Sequence, residues 1–308
     1  KYQLRMKRFF TISVLTIIFL FTSCEKTKTY GVDVNVNDEI NYFIWKGLNT
    51  FYLWQQDVPD LADKRFANFA DLYLYFRGYS SPEDVFENLR YEPGTIDRFS
   101  WIVNDYVALE NSFQGINLSN GMEFGLVKYK NESDNVFGYV RYVIANSDAE
   151  SKGVSRGNIF NSIDGTQLTL TNYQSLLFND NNSYTVGFAA YNNGSPNSNS
   201  NAVLLTKEEI QENPVAITKV FTEGTKKIGY LLYNQFAKNY DSQLNAAFSN
   251  FKSEGINELV IDLRYNGGGS VSTATYLGSM VTGQFNGALY SQEIWNDKVK
   301  SALPEERF

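Results

Sequence analysis

The sequence predicts a multidomain α+β protein: an N-terminal helical segment, a β-rich middle domain and the first part of an α/β core. Three observations carry this. Aromatic and aliphatic residues recur at helical spacing early in the chain. Short β-prone runs separated by polar and glycine turns follow. A strand, an amphipathic helix and a second strand then run into three consecutive glycines. With 308 residues the chain is long enough for two or three domains. Its 43% hydrophobic and 20% charged residues are the balance of a packed protein, not a disordered one.

The N-terminal helical domain is expected over 38–112. Ile44, Trp45, Leu48, Phe51 and Tyr52 form one helical stripe. Ser81-Pro82-Glu83-Asp84 reads as a helix start, with Ser81 as N-cap, Pro82 at the first helical position and acids in the first turn. Val85, Phe86 and Leu89 continue an apolar face, and these aromatics read as core.

The β-rich domain is expected over 113–212. Met122–Tyr129 and Phe137–Ile144 are β-prone runs around a polar turn. Ser147–Gly153 reads as a short helix of small residues ended by Gly153; Gly157 makes a turn, a strand follows, and Asp164-Gly165 closes a tight hairpin. A helix over Tyr173–Phe178 and strands over Ser183–Tyr191 and Ala202–Thr206 complete it. The Asn/Ser-rich stretch Asn192–Asn201 reads as the loop between those strands. Asp164-Gly165-Thr166 has the wrong order for an aspartic peptidase and reads as a turn.

The α/β part is expected over 213–308. Ile228–Tyr233 is a strand. Asp241 or Ser242 caps a helix that buries Leu244, Ala247, Phe248 and Phe251 and ends at Gly255. Glu258–Leu263 is a nearly continuous apolar run, as in a buried parallel strand. It leads into Arg264-Tyr265-Asn266-Gly267-Gly268-Gly269-Ser270 and a helix over 272–281. Glycines between a strand and a helix allow unusual torsions and aim amides at one point beside a helix N-terminus, which suits an anion or a developing oxyanion. A phosphate loop would need a Gly-Lys-Ser/Thr ending, and a dinucleotide turn a Gly-x-Gly-x-x-Gly spacing; neither is present.

Composition narrows the chemistry. A net charge of −7, with no basic stretch beyond Lys7 and Arg8, argues against nucleic acid as a partner. There is no histidine, which excludes a Ser-His-Asp or Cys-His site and His-ligated zinc within these residues. Cys24 is the single cysteine, so no intrachain disulfide or thiolate cluster forms. No metal and no cofactor are expected. A hydrolase built from these residues needs another base, and lysine is the usual substitute.

The N-terminus has its own pattern. Met6 reads as the natural start, Lys7 and Arg8 as a positive n-region, and Phe9–Phe21 as an apolar run shorter than the roughly 20 residues of a spanning helix. It ends in Phe21-Thr22-Ser23-Cys24, which resembles a bacterial lipobox. That resemblance implies a signal peptide over 1–24, lipid attachment at Cys24, a polar tether over 25–37, and a lipoprotein of the cell envelope, periplasmic or at the outer membrane. The alternative is a signal peptide that happens to end at a cysteine.

Two further resemblances bear on function. Val143–Val154 with Arg156-Gly157-Asn158-Ile159-Phe160 and Ile163-Asp164-Gly165 resembles the bacterial PDZ pattern, with Asp148 where proline is usual and Asn158 where aspartate is usual. It implies that a peptide C-terminus docks along the strand from Glu123, with Gly121, Met122, Glu123 and Phe124 as peptide-binding residues near a carboxylate loop. A PDZ used as a spacer or lid is the alternative. Val260–Gly269 resembles the "[VI]-[IL]-D-L-R-x-N-x-G-G" signature of the tail-specific, or C-terminal processing, serine peptidases. Asp97-Arg98-Phe99-Ser100 is similar to a stretch that precedes the PDZ region in that family.

The family resemblance implies a ClpP/crotonase-like α/β core, a Ser-Lys dyad, and cleavage of polypeptides near their C-termini. It places the oxyanion hole at Gly268, with Gly267 or Gly269 contributing. The family's serine lies in a "[ST]-A-S-A-x-E" segment beyond the glycine turn, and its lysine further on. Neither precedes Phe308. Ser270 and Ser272 lie in the turn itself, and Lys298 and Lys300 read as solvated tail. The expectation is therefore a chain truncated before its nucleophile and base, and inactive by itself. The rivals are a non-catalytic PDZ-containing surface lipoprotein that binds peptide C-termini and, from aromatic richness alone, a glycan-binding lipoprotein.

Overall fold

The computed structural model describes residues 33–130, 134–302 and 306–307. The export signal, the lipobox and Cys24, and most of the tether lie outside the described residues. Among the described residues no helix is long and apolar enough to cross a membrane. The chain divides into two compact units. One comprises the chain up to Ile102 together with Ile294–Leu303, the other Val103–Glu293 with Pro304–Phe308. The first division falls between Ile102 and Val103, not at the expected 112/113. The β-rich and α/β stretches share the second unit.

The first unit is helical. Helix α1 (Val36–Phe51) starts inside the expected tether, because Asn35 and Asp38 form a capping box: each side chain accepts the other's backbone N–H at 3.0 Å. Helix α2 (Phe69–Phe76) is capped by Asn68, and α3 (Pro82–Asn88) by Ser81 with Pro82 at its first position, as the sequence predicts. Leu61, Leu72, Tyr73, Phe76, Val85 and Leu89 form the core. The predicted stripe is corrected at its end, since Phe51 is 57% exposed. The helix stops there and Tyr52 turns inward, its hydroxyl donating to the buried Asp97 carboxylate at 2.7 Å.

The tail expectation is corrected as well. Asn296 is buried, and its Nδ2 donates to the carbonyls of Thr50 and Tyr52 at 3.0 and 2.8 Å. Lys298 Nζ donates to the Asn49 carbonyl at 3.0 Å and pairs with Asp63. A segment that reads as solvated charge thus seals the C-terminal carbonyls of α1.

In the second unit, helix α4 (Tyr106–Phe113) leads into β1 (Ile116–Ser119), which pairs antiparallel with β8 (Glu208–Gln211). Between them lies an antiparallel sheet of β2 (Met122–Lys128), β3 (Val136–Val143), β4 (Ile159–Ile163), β6 (Ser183–Ala190) and β7 (Asn197–Thr206), in that spatial order. The short β5 (Thr166–Gln167) returns on β4 through the Asp164-Gly165 hairpin. Met122, Val140, Phe160, Ile163, Val186 and Leu205 are central to its core. Helices α5 (Asp148–Ser151) and α6 (Tyr173–Leu177) accompany the sheet. The expected loop over Asn192–Asn201 is corrected: Asn197–Asn201 belong to β7, with Asn197 opposite Ala190 and Ser198 opposite Ala189. Their side chains are exposed, and the ladder to β6 holds them together with Ser198 Oγ, which accepts from Asn161 Nδ2 at 2.9 Å and donates to Asn161 Oδ1 at 3.2 Å.

The α/β part holds a three-stranded sheet ordered β11 (Glu258–Asp262), β10 (Lys226–Tyr233), β9 (Val215–Glu223). Strands β10 and β11 are parallel and joined by helix α7 (Asp241–Glu254), as expected. Strand β9, not expected from the sequence, pairs antiparallel on the other side of β10. Leu231, Tyr233, Leu244, Phe251 and Leu277 make the core. Two details depart from the reading. Neither Asp241 nor Ser242 caps α7; Asp241 instead accepts from the Thr273 hydroxyl at 2.9 Å. Strand β11 lies at the sheet edge, so Val260 is 46% exposed despite the apolar run.

Candidate active site

The turn after β11 is built from the residues the sequence singles out. Asp262 is buried at the end of the strand. It accepts from the Arg264 guanidinium on both oxygens, and from the Tyr230 hydroxyl at 2.7 Å. The Arg264 pairing holds its carboxyl well below the usual carboxylate range, against the cost of burial. Asn266 Nδ2 donates to the Tyr233 carbonyl at 3.0 Å, while its Oδ1 accepts the Gly268 N–H at 2.8 Å. Asp262, Arg264 and Asn266 therefore shape the turn and tie it to β10.

The three glycines differ. The Gly267 N–H is directed at the Asn234 carbonyl over a long 3.4 Å. The Gly268 N–H, first choice on sequence as oxyanion donor, is taken by Asn266. Gly268 O accepts from the Phe236 N–H, and the Ser270 N–H donates to Phe236 O, both at 2.8 Å. This is a one-residue parallel bridge between Phe236 and Gly269. Successive amides alternate along such a bridge, so the Gly269 N–H points away from Phe236. Among the described residues it has no acceptor. Gly269 is exposed, and with Ser270 it lines a pocket of about 480 Å³ shared with Phe113, Gln114, Phe236, Lys238 and Asn239. Glycine is required there: φ is +133°, and a Cβ would lie 2.3 Å from the Phe236 carbonyl oxygen.

Ser270 is engaged otherwise. Its Oγ caps helix α8 (Val271–Val281) by accepting the Thr273 N–H at 3.3 Å, and it shares a hydrogen bond with Ser272 at 2.9 Å. Lys298 lies in the first unit against Asn49 and Asp63. Among the described residues no cluster of carboxylates or Cys could hold a metal ion.

The predicted peptide-binding residues gather in a second place. Strand β2 is an edge of its sheet, paired only with β3. Met122, Glu123 and Phe124 line a pocket of about 340 Å³ with Leu177 and Phe178 from α6 and its end, Tyr184 and Lys207. Gly121 sits at its loop with φ +84°; a Cβ there would lie 2.1 Å from the Ser147 side chain. Burial pushes the Glu123 carboxyl up, helped by Glu212 and opposed by Arg141. Lys207 is the residue that sequence reasoning missed. It is a single lysine after an apolar strand, with no local pattern to mark it.

The glycine turn touches the β2–β7 sheet through one of its own residues. Tyr265, inside the glycine signature, packs its ring against Tyr142 of β3, with centroids 5.8 Å apart and planes tilted by 35°, and the Arg156 and Arg264 guanidinium groups lie 5.2 and 5.9 Å from its ring.

Sequence and fold comparisons relate the chain to peptidases. Residues 39–101 match the model of the peptidase S41 N-terminal domain, and residues 227–304 match that of peptidase family S41. Both matches are to the one family, peptidase S41. A chloroplastic C-terminal processing peptidase of Tetradesmus obliquus is 30% identical over 133 residues, which cover 39% of this chain and 28% of that protein. The fold resembles the crystal structure of a Bacteroides fragilis protein described as an S41 protease, with a TM-score of 0.60 at 22% identity over 86% of this chain and 65% of that one. The photosystem II D1 C-terminal processing protease aligns at a TM-score of 0.40 and 19% identity, over 81% of this chain and 66% of that one, below the level at which a shared fold follows. The chain thus spans less than two thirds of the length of each of these relatives.

Proposed function

We propose that the chain is part of a serine endopeptidase of the tail-specific type, acting by a Ser-Lys dyad on polypeptides near their C-termini. The carrying observation is the Gly269 N–H. It is a backbone donor without an acceptor among the described residues, held by a glycine-only torsion at an exposed pocket beside a helix N-terminus. A donor fixed in advance where an oxyanion develops stabilises the tetrahedral intermediate of acyl transfer, commonly by about 3 kcal/mol per donor. Gly269 is the primary donor in this reading, and Gly267, with its long hydrogen bond, the candidate second.

The serine and lysine are not offered by these residues. Ser270 is a helix cap, and no "[ST]-A-S-A-x-E" segment occurs. The reading gives two outcomes. The 308-residue chain shows no hydrolysis of unstructured polypeptides, and measurable turnover would overturn the assignment of the missing groups. A gene product carrying the serine segment cleaves such substrates, and Ser→Ala in that segment abolishes cleavage; persistent cleavage by that variant refutes the dyad.

The sheet from β2 to β7, with α6 beside its free edge, supports a PDZ-like reading for residues 113–212. Residues 213–308 are read as the start of a ClpP/crotonase-like core. The same groove supports the second reading, a non-catalytic lipoprotein that binds peptide C-termini. Anchoring through Cys24 in the cell envelope is part of both. It predicts palmitate labelling that Cys24→Ala removes.

A further inference from the structure

We infer that Lys207 holds the terminal carboxylate of a peptide bound along β2, and that its ammonium rather than the loop amides sets the preference for a free chain end. This rests on the reading of the β2–α6 groove as a peptide site. The occupant is a polypeptide C-terminus with an apolar last side chain.

The loop before β2 would otherwise do this work. Two amides at its mouth are already satisfied. The Gly121 N–H donates to Ser119 Oγ and the Met122 N–H to Asn120 Oδ1, both at 3.0 Å. Asn120 is itself buried and fixed, its Nδ2 donating to the Tyr184 hydroxyl at 2.9 Å. A carboxylate arriving there would have to break these bonds, and each lost bond to a buried group costs free energy.

The cation stands at the same end of the groove. Lys207 Nζ lies 5.9 Å from the centre of the Tyr184 ring and, among the described residues, donates one hydrogen bond, to the Asn179 carbonyl at 2.7 Å. An ammonium has three donors, so two remain for a ligand. Phe124, Leu177 and Phe178 supply apolar lining for a terminal side chain. The open edge of β2 supplies backbone pairing for an added strand. Glu123 is the one acid lining the pocket. Its burial favours the protonated form, which weakens its opposition to an incoming carboxylate.

The test compares two labelled peptides of one sequence ending in an apolar residue, one with a free carboxylate and one amidated, titrated against the chain by fluorescence polarisation. Wild type is expected to prefer the free acid by about tenfold, the usual size of a charge-assisted contact. Lys207→Met should bind both peptides alike, at the level of the amide, and Lys207→Arg should restore most of the preference. If Lys207→Met keeps the preference, the inference falls while the groove reading stands, with backbone amides as the holders. If wild type binds both peptides equally, or neither, the groove reading falls and the inference with it.

Discussion

At the residue scale, the glycine turn makes a sharp distinction between neighbours of one kind. Gly267 has an ordinary torsion and open space around a would-be Cβ, whereas Gly269 has φ +133° and a carbonyl oxygen 2.3 Å away. Gly267→Ala should change stability by no more than about 1 kcal/mol. Gly269→Ala should cost at least about 2 kcal/mol and shift the Phe236 bridge. Thermal melts of the two variants, with amide exchange at Phe236 and Ser270, check this; equal melting temperatures would mean the turn is not held as described. Asp97 offers a second test. It is 1% exposed and, despite burial, its carboxyl is drawn down to about 2 by the Tyr52 hydroxyl, the Ser100 amide and Arg90. A folded-state value below the unfolded one stabilises the fold above the unfolded pKa and is lost as the pH falls through the folded value. The contribution, about 2 kcal/mol at neutral pH, should thus fade between about pH 4 and pH 2. Asp97→Asn should lower the melting temperature at pH 7 and flatten that acid limb.

At the scale of elements, what the sequence made legible was what short-range physics decides. Ser81-Pro82 started α3 because a hydroxyl, an absent N–H and a fixed φ act within four residues. Ser81→Ala should accordingly cost about 1 kcal/mol in a urea melt. The β10–α7–β11 unit and the turn after it were legible for a similar reason, the period and the glycines being local. What failed was decided by partners distant in the chain. Strand β9 carries little alternation and is a strand because β10 offers it a ladder. Asn197–Asn201 looked like loop because their side chains are polar, yet Asn197 and Ser198 pair with β6 and Ser198 Oγ bonds to the distant Asn161. Val260 looked buried because it is apolar, but β11 is an edge. In the candidate site, the glycines were legible and the choice among them was not, since the Asn266 side chain and the Phe236 bridge decide which amide is left over. Tyr265 held an unspecified position in the motif, and only the contacts with Tyr142 and Arg156 give it a role. Tyr265→Ala should loosen the turn while Tyr265→Phe, which keeps the ring, should not. Amide exchange at 264–269 separates the two outcomes.

At the scale of the whole molecule, the helical unit is closed by residues far along the chain. Asn296 satisfies the carbonyls of Thr50 and Tyr52, and Lys298 that of Asn49, so the last turn of α1 finds its partners in a segment more than 240 residues away. The Tyr52 carbonyl also accepts from the Gln55 N–H at 3.1 Å, but those of Asn49 and Thr50 have no intrahelical donors, and an unsatisfied buried acceptor costs about 1–3 kcal/mol. Asn296→Ala should then destabilise the first unit by about 2 kcal/mol, and exchange at 48–52 should rise before exchange in the β2–β7 sheet does. A fragment of residues 33–102 alone should melt below the intact unit, and a peptide of residues 294–303 added in trans should raise its melting temperature in a concentration-dependent way. If the fragment melts as high as the intact unit and ignores the peptide, the returning segment is only draped on α1. If the peptide stabilises it, the chain beyond the glycine turn is a structural part of the N-terminal unit, and folding of that unit waits on a segment made long after it.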